Sequence, residues 1–168
     1  MLLLGALLAA TSVALFTPDR PREAEACAFD PWRPDAYEAD QQRTRYNAAI
    51  EAAAVNRLLP NDSFFALPPI ERGTRANRQP GAPFIPAVLL KSIAWVESTM
   101  TQAARAVAFE SVGQAQISFD CGHGIMQVTT GMTTPLGGDG TPSARQASIA
   151  THFAYNIARG AQILAEKW

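Results

Sequence analysis

Residues 86–100 read PAVLLKSIAWVESTM, and the rest of the chain is interpreted outward from this stretch. Its apolar residues recur at spacings of three and four, which is the period of an amphipathic helix. Pro86 stands first, where proline is tolerated because the first helical amides have no partner inside the helix. The spacing therefore predicts a helix over 86–100, with Leu90, Ile93 and Glu97 on one face.

Glu97 is the residue of this helix that could carry chemistry. Its carboxyl group rises from an apolar face near the C-terminal end of the helix, so we expect it to be partly buried. Burial and the partial negative charge of a helix C-terminus both favour the protonated acid. A protonated carboxyl can act as a general acid. The alternative is a glutamate at the edge of a buried face, with its carboxylate in water.

The surrounding sequence predicts a chain rich in helix. We expect a helix over 36–59, an irregular loop over 61–85 and a short strand over 113–119. Residues 143–168 are predicted to be helical, with a break near Asn156. The predicted fold class is therefore mainly α, with at most a small β element.

Length and composition indicate one globular domain. The chain has 168 residues, of which 48% are hydrophobic and 17% are charged. Fourteen Lys and Arg stand against fifteen Asp and Glu, so no positive field favours binding to nucleic acid. The two cysteines and two histidines lack the spacing of zinc ligands, and we predict no metal or cofactor.

The N-terminal sequence predicts export. Leu2–Phe16 carries no charge and is too short for a membrane-spanning helix, which needs about 20 residues, but it suits the core of a signal peptide. Ala24–Ala26 and Ala26–Ala28 both fit a small-x-small cleavage pattern. We assign residues 1–28 to a signal peptide or an N-terminal apolar segment, and 29–35 to a linker.

Cys27 and Cys121 bear on the same prediction. In an exported protein an even number of cysteines permits a disulfide. Cleavage after Ala28 would remove Cys27 and leave Cys121 unpaired, so the pairing stays open at this point. The predicted location is extracytoplasmic, with membrane contact only through the N-terminal segment if it is uncleaved.

Three segments, in order, resemble the catalytic domain of the soluble lytic transglycosylase (SLT) family, which is related to goose-type lysozyme. Ala94–Ser98 (AWVES) resembles the family's Glu-Ser motif, and Gly124–Thr129 (GIMQVT) resembles its Gly-Leu-Met-Gln motif. Asn156–Leu164 (NIARGAQIL) resembles its Asn-Ile-x-x-Gly-x-x-x-Leu helix. The resemblance covers roughly 86–168 and implies a lysozyme-like domain over 36–168.

The resemblance also implies a function and a set of site residues. Glu97 would be the acid and base that cleaves the β-1,4 bond between N-acetylmuramic acid (MurNAc) and N-acetylglucosamine (GlcNAc) in peptidoglycan. The product would carry a 1,6-anhydromuramic end, and peptidoglycan strands would be the partner. Substrate contacts would come from Ser98, Gly124, Met126, Gln127 and Asn156.

Two departures from the family pattern keep alternatives open. The segment from Glu97 to Gly124 is longer than expected, which indicates an insertion over 105–121. A later Tyr-Asn-Ala-Gly-like motif is missing, so we expect a domain truncated at its C-terminus. One alternative is a lysozyme-like hydrolase with a second carboxylate, such as Asp120 or Glu110. Another is a non-catalytic glycan-binding module made inactive by the truncation.

Overall fold

The computed structural model describes residues 27–74, 76–79 and 81–167. The predicted signal peptide falls almost entirely on residues 1–26, outside these ranges. Within them the chain forms four helices and two antiparallel sheets of two strands each. The elements, in chain order, are β1 (Asp35–Tyr37), α1 (Thr44–Ala54), β2 (Arg72–Thr74), β3 (Asn77–Gln79), α2 (Ala87–Ser98), β4 (Val112–Gln114), α3 (Ala144–Thr151) and α4 (Phe153–Lys167).

The fold class predicted from the sequence is wrong. The described chain is a small α/β protein with 33% helix and 12% strand, and not a mainly-α, lysozyme-like domain. The missed sheet pairs β1 with β4, placing Asp35 opposite Gln114 and Tyr37 opposite Val112. The strand predicted over 113–119 overlaps β4 only at 113–114. Each strand is three residues long, and its partner lies far away in the sequence.

The first helix is shorter than the predicted helix over 36–59. The carboxylate of Asp40 accepts a hydrogen bond from the amide of Thr44 at 3.3 Å, and β1 ends at Tyr37, three residues before Asp40. Just after the helix, Asn56 adopts a φ of 56°, and its side-chain oxygen accepts from the amide of Leu67 at 2.8 Å. The side chains of Asp40 and Asn56 therefore accept hydrogen bonds on either side of α1, and the helix is shorter at both ends than the predicted range 36–59.

The other helices follow the sequence more closely. The prediction over 86–100 is confirmed as α2. The predicted helical segment 143–168 is present, but its break falls at His152, between α3 and α4, and not near Asn156. Ser143 begins α3 with a capping box, in which its hydroxyl accepts from the amide of Gln146 and the Gln146 side chain accepts from the amide of Ser143.

The helices enclose a core of buried apolar side chains. Helix α1 packs on α2 and α4, and α3 packs on α4. Fully buried side chains from three of these helices and from the segment after β4 meet there, among them Ile50, Leu90, Ile125 and Ile157. No helix in the described part of the chain is both long and apolar enough to cross a membrane.

Residues 27–38 pack against the second half of the chain. Cys27 and Cys121 form a disulfide, with their Cα atoms 5.2 Å apart and a sequence separation of 94. Beside it, the amide of Ala28 donates to the carbonyl of Met132 at 2.9 Å. The start of the described chain is therefore fastened to the segment that carries Gly124, Met126 and Gln127.

Candidate functional site

Glu97 lies on the rim of an open groove at the C-terminal end of α2. The groove has a volume of about 300 Å³ and is lined by α2, by residues 126–130 and by α4. Met126 and Gln127 line it beside Glu97, and Gly160 and Leu164 line it from α4. The three segments that carry the family resemblance therefore meet at one groove, although they are far apart in sequence.

The Glu97 carboxyl is exposed, so the expected partial burial is wrong. Helix α2 buries Leu90, Ala94 and Ser98, a stripe with a spacing of four, and Glu97 precedes the last of these by one residue. Within the described ranges Glu97 has no hydrogen bond or ion pair. Its carboxylate is therefore free to meet a ligand in the groove.

Ser98 faces away from the groove. Its buried hydroxyl lies 2.9 Å from the carbonyl of Ala94 and 2.8 Å from the carbonyl of Ile125, and it accepts from the amide of Thr101 at 3.1 Å. A serine hydroxyl has a single proton to donate, so the two carbonyls share it. Ser98 therefore fastens the end of α2 to the segment 123–128, behind Glu97.

Gly124 is enclosed by protein and does not face the groove. It is buried with a φ of 63°, a left-handed conformation that favours glycine. A Cβ at this position would lie 2.6 Å from the side-chain amides of both Gln102 and Asn156. Glycine is therefore needed here because two buried amides occupy the space of a side chain.

Asn156 is fully buried, and all of its polar atoms have partners. Its Oδ1 accepts from the amide of Met126 at 2.8 Å. Its Nδ2 donates to the carbonyls of His123 at 2.7 Å and Ile149 at 3.0 Å. Asn156 therefore positions the groove wall from inside α4 and has no surface to offer a substrate.

Gln102 and Glu38 extend this support, and sequence reasoning missed both. Gln102 Oε1 accepts from the amide of Ile125 at 3.1 Å, and its Nε2 donates to the carbonyl of Ala150 at 2.9 Å. The backbone amide of Gln102 donates to Glu38 Oε2 at 2.9 Å, and the Tyr46 hydroxyl donates to Glu38 Oε1 at 2.7 Å. An isolated polar residue in a loop leaves no periodic signal that could have revealed these roles.

Met126 and Gln127 are the predicted substrate residues that do line the groove. Met126 packs against Gly160, where an added Cβ would lie 2.7 Å from the Met126 Cβ. Gln127 has a φ of 45°, and its Nε2 donates to the carbonyl of Gly124 at 2.8 Å. The structure therefore brings Glu97, Met126 and Gln127 to the groove and places Ser98, Gly124 and Asn156 behind it.

The candidate second carboxylates lie elsewhere. Asp120 and Glu110 are exposed, and neither lines the groove. The hydroxyl of Ser118 donates to Asp120 and lowers the pKa of that carboxyl. Glu38 is 2% exposed, and its oxygens already accept from one hydroxyl and two amides. In the described ranges, Glu97 alone brings a carboxyl to the groove.

A second and larger cavity lies at the end of α2. Its volume is about 570 Å³, and Ser98 and Thr99 form its near side. Its far wall runs from Ala104 to Phe109, and most of this wall lies in the segment expected to be an insertion. Consecutive residues at the end of α2 therefore line two different hollows.

No family model, curated protein or solved structure matches this chain. A function must therefore be argued from the chain's own residues. Across the described ranges, no three His, Cys, Asp or Glu side chains come together as metal ligands. The groove offers a carboxyl, an amide, hydroxyls and apolar surface, a set suited to a polar organic substrate.

Proposed function

We propose that this chain cleaves the β-1,4 bond between MurNAc and GlcNAc in peptidoglycan and leaves a 1,6-anhydromuramic end. One observation carries the proposal. The unpaired carboxyl of Glu97 lies at an open groove beside Met126 and Gln127, and no second carboxyl lines that groove in the described chain. A reaction with one acid and base group fits this arrangement better than one with two.

The reaction needs one proton donor that later accepts a proton. Protonated Glu97 donates its proton to the glycosidic oxygen as the bond between that oxygen and the anomeric carbon of MurNAc breaks. The 2-acetamido group of the same sugar stabilises the positive charge that develops. The 6-hydroxyl oxygen of MurNAc then bonds to the anomeric carbon, and its proton passes to the Glu97 carboxylate. The products are an anhydro sugar and a GlcNAc with a free 4-hydroxyl, and no water is consumed.

The groove offers matching contacts for a sugar strand. Met126 and Leu164 supply apolar surface for the face of a ring, and Thr129 supplies polar groups for its hydroxyls. The amide of Gln127 is already oriented by the Gly124 carbonyl, so it loses little freedom on binding. Because Glu97 is exposed in the free chain, the bound strand itself must exclude water from the carboxyl.

A hydrolase is the weaker candidate. Hydrolysis with two carboxyl groups places them about 5 to 9.5 Å apart on either side of the scissile bond. Asp120 and Glu110 lie outside the groove, and Glu38 is committed to Tyr46 and two backbone amides. Attack by the substrate's own hydroxyl removes the need for a second carboxyl.

Mass spectrometry of digested peptidoglycan tests the proposal. We expect Glu97-dependent muropeptides one water lighter than reducing ends, and a rate that falls by roughly 10²-fold or more with Glu97→Gln. Glu110→Gln is the matched control, since its carboxyl is exposed but lies outside the groove. Reducing ends would contradict the proposal in favour of a hydrolase, and a folded chain that yields no product would contradict catalysis.

A further inference from the structure

We infer that this chain cuts within glycan strands, which cross the end of α2 and fill the groove on one side and the larger cavity on the other. This inference rests on the proposed function. Glu97 lines the groove, while the next two residues, Ser98 and Thr99, line the cavity. The last turn of α2 therefore contributes to both hollows, and a strand that crosses this turn would have binding surface on each side of Glu97.

Both hollows are open to solvent and large enough for sugar rings. Their volumes are about 300 and 570 Å³, within the range of sites that bind small organic ligands. An enzyme that trims strand ends needs a barrier beyond the cleavage point. The cavity beyond Ser98 provides space where such a barrier would stand.

The cavity wall has the chemistry of a sugar site. Phe109 is 40% exposed and offers an aromatic face, against which the apolar face of a sugar ring can pack. Thr99 and Thr101 line the near side, and the Thr101 hydroxyl is held by the Ser98 carbonyl and by Gln116. Arg105 is exposed on the far wall without an ion pair in the described chain, so it can meet a carboxylate of the muramic lactyl group or its stem peptide.

The wall is held in place before any ligand binds. The guanidinium of Arg43 lies 5.5 Å from the ring centre of Trp95 on α2 and 5.8 Å from that of Phe109. Val107 packs directly over Gly113, where a Cβ would lie 2.5 Å from a Val107 methyl group. The wall is therefore tied both to α2 and to β4, so strand binding orders few side chains.

The length of the first products tests the inference. Long glycan strands, freed from their peptides by an amidase, are digested and sized over time. We expect strands of intermediate length at the earliest times, before small fragments accumulate. A single small product from the first time point would overturn the inference while leaving the proposed function intact. Failure to form any Glu97-dependent product would instead overturn the proposed function.

Variants of the cavity wall provide the second measurement. Phe109→Ala is expected to lower kcat/KM on long strands roughly tenfold, the effect of losing one buried aromatic contact. Arg105→Ala should lower it on strands that keep their stem peptides, and less on strands freed of them. Phe119→Ala and Arg57→Ala are matched controls, because both side chains are exposed and line neither hollow. Equal rates for Phe109→Ala and Phe119→Ala would overturn the role of the cavity.

Discussion

The side-chain oxygen of Asn156 accepts a hydrogen bond from the backbone amide of Met126 at 2.8 Å, so a fully buried residue of α4 fixes the wall of the groove. The nitrogen of the same side chain holds the carbonyls of His123 and Ile149. One amide therefore joins α3, α4 and the segment beneath Glu97.

Replacing Asn156 with alanine should destabilise the chain strongly. The amide of Met126 would lose its partner, whereas the carbonyls of His123 and Ile149 keep the amide of Val128 and the Nε2 of Gln102. A buried, unpaired polar group costs about 1–3 kcal/mol. We expect the free energy of unfolding in urea to fall by roughly 3 kcal/mol in total. Asn61→Ala, at an exposed position, should stay within about 0.5 kcal/mol of wild type. Equal stabilities for the two variants would contradict the role given to Asn156.

Gly160→Ala should narrow the groove. The added Cβ would lie 2.7 Å from the Cβ of Met126, an atom that cannot move away by a change of rotamer. Overpacking of this kind costs about 1–3 kcal/mol, more than the roughly 1 kcal/mol that alanine gains over glycine within a helix. We expect a lower melting temperature and slower strand cleavage.

Gly138→Ala is the matched control for Gly160→Ala. A Cβ at Gly138 meets nothing within 4 Å, so this variant should melt within a degree or two of wild type. A Gly160→Ala variant that is more stable than wild type would show that Met126 does not pack as described.

The buried hydroxyl of Tyr46 makes the stability of the fold fall at alkaline pH. Burial, with help from Glu38, raises the pKa of the Tyr46 hydroxyl far above the value of about 10 in an unfolded chain. The folded state therefore keeps the proton where the unfolded state loses it, so this contribution is complete below pH 10 and falls as the pH rises further. Urea unfolding from pH 8 to 11 should show that fall.

Tyr46→Phe separates the ionisation from the packing. At pH 8 it should cost about 1–3 kcal/mol, because Glu38 Oε1 and the amide of Ala39 lose the hydroxyl between them. Between pH 10 and pH 11 the free energy of unfolding of this variant should fall less than that of wild type. Tyr155→Phe is the control, and its free energy of unfolding should fall over this range as much as that of wild type. An unchanged alkaline loss in Tyr46→Phe would assign that loss to other groups.

The buried imidazole of His123 makes the stability of the fold fall at acid pH. Burial lowers the pKa of this imidazole, with Arg33 acting in the same direction and Asp30 opposing it. The folded state therefore resists protonation, so stability should fall as the pH drops below about 6.5, the pKa of an unfolded histidine. Its Nδ1 lies 2.7 Å from the carbonyl of Cys121, and its buried Nε2 has no partner in the described chain.

Thermal unfolding at pH 7.5 and pH 5 checks this dependence. His123→Phe should show a smaller fall in melting temperature between the two pH values than wild type. His152→Gln, at an exposed position, should show the same fall in melting temperature as wild type. If both variants behaved alike, the acid sensitivity would lie elsewhere.

The Cys27–Cys121 disulfide should contribute about 2–5 kcal/mol, since it closes a loop of 94 residues. Adding a reductant should therefore lower the melting temperature of wild type, while a Cys27→Ser/Cys121→Ser variant should not respond. A chain that begins at Phe29 should resemble that variant. Peptide mapping without reductant would check the pairing directly.

Local patterns in the sequence predicted the elements that are complete within one stretch. Helix α2 was predicted because its apolar period lies within 86–100. The capping pair Ser143 and Gln146 lies at the start of the predicted helical segment 143–168. The pairing of β1 with β4 could not be predicted, because short strands gain stability from partners that are distant in sequence.

The site was predicted in part. The motifs located Glu97, Met126 and Gln127, which line one groove. The exposure of Glu97 was missed because the buried stripe of α2 ends in a serine. The buried hydroxyl of Ser98 has partners within its own segment and also the distant carbonyl of Ile125. Contacts between distant segments, which no local pattern encodes, decide such cases.

The junction between residues 27–38 and the second half of the chain has a consequence for how the protein folds. Glu38 must reach Gln102, and β1 must reach β4, before the groove has its support. Closing such long loops costs entropy before any contact compensates for it, so topologies of this kind fold slowly. We expect the helices to form early and the groove to be assembled last. A nascent chain released before that step would have its helices but not the wall of the groove beside Glu97.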